Sequence, residues 1–205
     1  MNKKLLVTRP KHDITTHYLF HWSEEIIKLA KNKSISVLDL SQRRANKKEF
    51  ESILEKMQPF LVFLNGHGAD KCVTGNNNEI LLEAEKNEHL VKSKIIYARS
   101  CSSGKILGPK SIKAGALAYL GYNHDFIFFR DETQTRKPLS DNTAKLFLEP
   151  SNQIMASLLK GHNVQDADNR SKELFKKNIE KVAIKESSSH YLIPFLLWNM
   201  KHQKA

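Results

Sequence analysis

Two short stretches carry residue types on which chemistry could be built. Phe60 to Gly68 (FLVFLNGHG) ends an apolar run in His67 between two glycines, and Ile95 to Gly104 (IIYARSCSSG) ends another in Cys101 and a small polar turn. Cysteine attacks as its thiolate, but an ordinary pKa of about 8.5 keeps it protonated at neutral pH, and a nearby imidazole relieves this. If the two runs are neighbouring parallel strands, about 5 Å apart, both side chains stand at the carboxyl edge of the sheet, where diverging loops leave a crevice. His67 is then the candidate base and Cys101 the candidate nucleophile. Gly68 and Cys101 offer backbone amides to an oxyanion, and a side chain at position 68 would crowd the substrate. Asp70, Arg99, Ser100, His124 and Asp125 are the candidate pocket residues; for Asp70, His124 and Asp125 the plainer reading is exposed loop polarity. Cys72 has no partner motif and reads as incidental.

These residues need a scaffold, and the hydrophobic pattern supplies one. Lys4 to Thr8 reads as a strand stopped by Pro10, which has no amide hydrogen for a ladder. A helix follows, with Thr15 or Thr16 as its cap and Leu19, Trp22, Ile26 and Leu29 on one face. Ile35 to Leu40 is a second strand. Asn46 with Glu49 resembles a capping box for a helix striped by Phe50, Ile53, Leu54 and Met57, and Phe60 to Leu64 is the third strand. The third strand and the one ending at Ala98 are apolar on successive residues, as expected when helices cover both faces of a parallel sheet.

After the Gly75 to Asn78 loop, Glu79 to Glu85 fits either a strand or a helix start. Lys94 to Ala98 is a strand, Lys110 to Lys113 a helical turn, Ala116 to Tyr122 a strand, and Phe126 to Phe129 a candidate further strand. Thr143 to Leu159 reads as a helix broken at Pro150 and stopped by Gly161, and Asn163 to Lys185 as another whose many lysines form a solvated face. The expected architecture is a three-layer α/β/α sandwich with a mainly parallel central sheet, in a single domain spanning 1–205.

An apolar strand ending in Asn65-Gly66-His67-Gly68, followed by one ending in Ala98-Arg99-Ser100-Cys101-Ser102-Ser103-Gly104, resembles the signature of the caspase-like (clan CD) cysteine peptidases. Lys113 to Tyr122 is similar to the strand after the cysteine in the CHAT and gingipain-like branches. The resemblance implies a caspase-hemoglobinase-like fold and a cysteine endopeptidase cutting a protein or peptide substrate. It implies His67 as base and acid, Cys101 as nucleophile, the Gly68 and Cys101 amides as oxyanion hole, and no third residue to orient the histidine. No cofactor is implied. The chain departs from the family where metacaspases carry an aspartate two residues before the cysteine: here that residue is Arg99, which disfavours a basic substrate residue if it faces the pocket. No cleavable linker between subunits is evident, so a single chain activated by a protein partner is expected.

Composition sets the limits. In 205 residues, 40% hydrophobic and 27% charged amount to an ordinary globular chain. Its apolar runs fall short of the roughly 18 to 20 residues needed to span a bilayer, and Leu5-Leu6-Val7 is too short for a signal-peptide core, so a cytoplasmic protein away from membranes is expected. Two cysteines make no disulfide scaffold, and no Cys-x-x-Cys or His-Cys cluster has zinc spacing, so no metal is expected. Gly104-Lys105 does not meet the phosphate-loop pattern. The net charge of +11 leaves a nucleotide or nucleic-acid sensor as a less favoured alternative, alongside a catalytically silent scaffold of the same fold.

Overall fold

Strands that are apolar on every residue must be covered on both sides, and the chain is built to do this. The structure, a computed structural model, describes residues 4–184 and 189–205. Its elements are β1 (Lys4–Arg9), α1 (Ile14–Asn32), β2 (Ser36–Ser41), α2 (Lys47–Met57), β3 (Leu61–Asn65), β4 (Gly68–Ala69), β5 (Cys72–Thr74) and β6 (Ile80–Glu83). Then follow β7 (Ile95–Arg99), α3 (Leu107–Lys113), β8 (Ala118–Tyr122), α4 (Asn142–Leu159), α5 (Val164–Ile184), α6 (Ile193–His202) and β9 (Gln203–Lys204). The central sheet runs β2-β1-β3-β7-β8-β9, parallel except for β9, which pairs antiparallel with the end of β8.

Alternation along each strand divides the core in two. Leu5, Val7, Leu61, Phe63, Tyr97 and Leu120 face α1, α4 and the start of α5, whereas Leu6, Val62, Leu64, Ile96 and Ala98 face α2 and α3. Val73, Leu81 and Leu82 of a small antiparallel sheet, β4-β5-β6, join the second cluster. The chain is thus a mixed α/β protein whose mostly parallel sheet is flanked by helices. β6 settles Glu79 to Glu85 as a strand, in a second sheet that sequence periodicity did not anticipate.

Three other expectations change. The cap of α1 is Asp13, not Thr15 or Thr16; Thr16 is the third helical residue and closes a reciprocal capping box with Asp13. Pro150 does not break α4. The Leu146 carbonyl that Pro150 cannot bond is taken at 2.8 Å by the Asn178 side chain of α5, and the Ser171 hydroxyl donates to the Pro150 carbonyl, so tertiary contacts meet the need that would otherwise end the helix. Phe126 to Phe129 is not a ladder strand: the Asn199 amide of α6 stands in for one, accepting from the Ile127 N–H and donating to its carbonyl, while β9 takes the sheet edge. Lys185, the expected end of α5, lies outside the described residues.

One polar hub crosses the apolar interior. Asn65, fully buried at the end of β3, donates to the Thr8 carbonyl of β1 and accepts from Nε and Nη2 of Arg99 on β7, its register partner. The Arg99 guanidinium also donates to Asn152 Oδ1 and the Leu19 carbonyl, and lies 5.0 Å from the centre of the Phe63 ring. Burial lowers its pKa to about 10, which still leaves it charged at neutral pH. Replacing Arg99 by leucine strands buried acceptors on Asn65, Asn152 and Leu19. Arg99→Leu is therefore expected to lower stability by about 3–5 kcal/mol, read as an earlier urea midpoint.

Candidate active site

β3 and β7 pair in parallel with a constant register from Leu61↔Ile95 to Asn65↔Arg99, so His67 and Cys101 occupy equivalent positions two residues beyond the last pair. They line one cleft of about 360 Å³ together with Ile14, Thr15, Asp125, Phe126, Ile127, Phe128 and Arg130. Strand parity explains the direction: Leu61, Phe63, Asn65 and His67 alternate onto the side of α1, as do Tyr97, Arg99 and Cys101.

That side holds a residue the sequence reading lacked. Asp13 Oδ2 lies 2.5 Å from His67 Nε2, so the carboxylate that caps α1 also fixes the imidazole. Burial alone would raise the Asp13 pKa, but hydrogen bonds from the Thr16 amide, the His67 ring and the Thr16 hydroxyl outweigh it and hold the carboxyl below its ordinary value. The stabilisation carried by this charge is present above the ordinary aspartate value of about 3.9 and is lost as the pH falls through the lower folded value. An aspartate just before a helical stripe, at the end of the strand neighbouring β3, was the available signal.

The backbone fits the same scheme. The Thr74 N–H donates to the His67 carbonyl, which makes Gly68 and Val73 a pair that exchanges no hydrogen bonds, so the Gly68 N–H points away from β5. Among the described residues, the Cys101 N–H has no acceptor either. A Cβ on Gly68 would fall 2.6 Å from the Cys101 carbonyl oxygen, so only glycine lets the two loops approach this closely. The turn after Cys101 is tied to the end of β8 by Gly104 N–H to the Tyr122 carbonyl and to the loop beyond it by Ser102 N–H to the His124 carbonyl, with Ser102 in the left-handed region at φ 55°.

Cys101 is half-buried, its Sγ 3.9 Å from the Phe126 carbonyl. Burial pushes its thiol up; the contact with the Phe126 backbone opposes this and the neighbouring Asp125 carboxylate adds to it. The ground state therefore keeps the proton on sulfur. Cys72 is also a free thiol, raised by burial.

The other candidate residues scatter. Asp125 lines the cleft. Arg99 does not: it is fully buried in the hub described above, which corrects the expectation that it faces substrate. Ser100 is also buried, donating to Ser103 Oγ, because its parity turns it to the opposite face. Asp70 pairs with Lys105 at 2.8 Å and borders a shallower depression with Gly68, Ser102 and Asp125. His124 packs on Trp198 and His202 of α6 and lines neither. One set of side chains has metal-ligand character among the described residues: His12, Asp13 and His67.

Asp13→Asn keeps a capping oxygen and should unfold within about 0.5 kcal/mol of the wild type, whereas Asp13→Ala should lose about 1 kcal/mol. Both should slow His67-dependent thiol chemistry by about 10- to 100-fold, measured as alkylation or hydrolysis rate. In a Cys72→Ser background, the pH profile of Cys101 alkylation should have its midpoint above that of an ordinary thiol, and Asp125→Asn should move it down by removing a negative charge. No family model and no curated protein sequence matches this chain.

Proposed function

We propose that the protein is a cysteine endopeptidase of the caspase-like kind, with Cys101 as nucleophile and His67 as base. The observation that carries this is the shared register: two adjacent parallel strands end in an imidazole and a thiol on one cleft, beside two backbone amides that have no acceptor among the described residues. A peptide carbonyl enters the cleft, His67 takes the Sγ proton, and sulfur bonds to the carbonyl carbon. The oxyanion is held by the Gly68 and Cys101 N–H groups. His67 then gives its proton to the leaving amine as the C–N bond breaks. Water, deprotonated by His67, cleaves the resulting thioester and restores the thiol. Asp13 acts as a positioning residue, holding Nε2 while leaving Nδ1 for the proton transfers.

With Arg99 buried, substrate preference passes to the cleft walls. Ile14, Phe126, Ile127 and Phe128 suit an apolar side chain next to the scissile bond, and Arg130 lies at the same wall. The raised thiol fits a latent enzyme that needs a protein partner. The wall segment is held by α6, through Asn199 on Ile127 and Trp198 Nε1 on the Asp125 carbonyl, so a partner that shifts α6 would act directly on the cleft. The same raised thiol is the observation that favours the second reading, a silent scaffold.

A peptidyl thiol-reactive probe separates the two. The peptidase reading expects labelling at Cys101, identified by mass spectrometry, that falls by about 100-fold or more in His67→Ala. Labelling indifferent to His67, or a Cys101 inert under every activating condition, would favour the scaffold.

A further inference from the structure

Where β1 and β3 end, three donors from two loops converge. The ligand atoms of His12, Asp13 and His67 all lie within 4.8 Å of one another. Asp13 divides its carboxylate: Oδ1 accepts from the Thr16 amide and hydroxyl, and Oδ2 faces two imidazoles, His67 Nε2 at 2.5 Å and His12 Nε2 at 3.6 Å. His12 Nε2, the nitrogen that faces Asp13, also contacts Asn78 Oδ1 at 3.2 Å, a contact that a metal would replace, and the ring meets the His67 ring edge-on at 6.0 Å. Its Nδ1 is buried without a partner. The helix cap thus occupies one carboxylate oxygen and leaves the other between two nitrogen donors.

We propose that His12, Asp13 and His67 form a binding site for one transition-metal dication, with zinc as the best match. Two imidazole nitrogens and one carboxylate oxygen are a set of three ligands that leaves zinc a fourth position for water. Magnesium and calcium prefer oxygen ligands, so two nitrogens against one oxygen select against them. In a tetrahedral site with bonds of about 2.0–2.2 Å the ligand atoms stand about 3.4 Å apart. The His12 to Asp13 spacing of 3.6 Å is already near this; Asp13 and His67 must part by about 1 Å once the metal replaces the proton between them, and the two imidazole nitrogens, within 4.8 Å of one another, must close toward the same spacing. The displaced proton passes, by exchange with solvent, to His67 Nδ1, so the ring remains a neutral imidazole. Sequence spacing could not signal the site, because His67 follows Asp13 by 54 residues and the fold alone joins them.

The consequence rests on the peptidase reading. A metal on His67 Nε2 confines the ring proton to Nδ1, so the imidazole can no longer accept the proton of Cys101. Zinc would act as a reversible brake.

The test is cobalt(II) titration read by visible absorption, and zinc titration by calorimetry, on the full chain, His12→Ala, Asp13→Asn and Cys101→Ser. The expected result is one ion per chain, bound at least about tenfold more weakly in both His12→Ala and Asp13→Asn, and equally well in Cys101→Ser. No stoichiometric ion in the wild type, or an affinity that neither His12→Ala nor Asp13→Asn changes, overturns the site. Where peptide hydrolysis is measurable, the zinc concentration that halves it should rise in His12→Ala by the same factor as the dissociation constant. Zinc bound through His12 with hydrolysis unimpaired overturns the brake. Stoichiometric, His12-dependent zinc binding in a protein that cleaves no peptide would sink the peptidase reading and leave the metal site standing.

Discussion

The hydrogen bonds between Asn65 and Arg99 are the constraint on which the candidate site depends. They join register partners at the last pair of β3 and β7, one position short of the loops that carry His67 and Cys101. A slip by one residue would turn every side chain of a strand to the opposite face. It would bury His67 or Cys101 and leave the Arg99 charge without acceptors. A buried guanidinium tolerates few arrangements, because each donor must find an acceptor in a medium that offers no water. Here Asn65, Asn152 and the Leu19 carbonyl meet that need, so α1, α4, β3 and β7 are fixed relative to one another just beneath the cleft.

The same economy governs Asp13. Capping α1 orients the carboxylate, and the oriented carboxylate orients His67. Helix entry and site geometry therefore share one side chain, and α1 cannot shift without moving His67. On the other wall, α6 supplies the Asn199 amide in place of a neighbouring strand, and residues 125–128 line the cleft with Cys101 without joining the sheet. Two helices from opposite ends of the chain thus set the width of the crevice.

Much of this was legible in the sequence. Continuous apolar runs announced strands buried on both faces, and His67-Gly68 and Cys101 ended two of them, so the meeting of imidazole and thiol on one cleft followed once the strands were taken as neighbours. Arg99, a candidate pocket residue from its place two before Cys101, shares that residue's face by alternation; it is buried because it stands at the last paired rung, covered by α1 and α4, where the Leu19 carbonyl and Asn152 accept its donors. Asp13 was missed because capping threonines lay close by and the carboxylate's second task is visible only in three dimensions. Pro150 stays helical because Asn178, on another helix, takes the orphaned carbonyl, and no local rule foresees a tertiary partner. The short strands β4 to β6 and β9 are too brief for periodicity to mark them.

The central claim is that the ends of β3 and β7 form one catalytic centre. A crystal structure of the protein treated with a peptide aldehyde tests it most directly. The account predicts a thiohemiacetal on Cys101 Sγ, its oxygen within about 3 Å of the Gly68 and Cys101 amide nitrogens, with the His67 ring alongside. An unmodified Cys101, or an adduct whose oxygen points away from both amides, would contradict it.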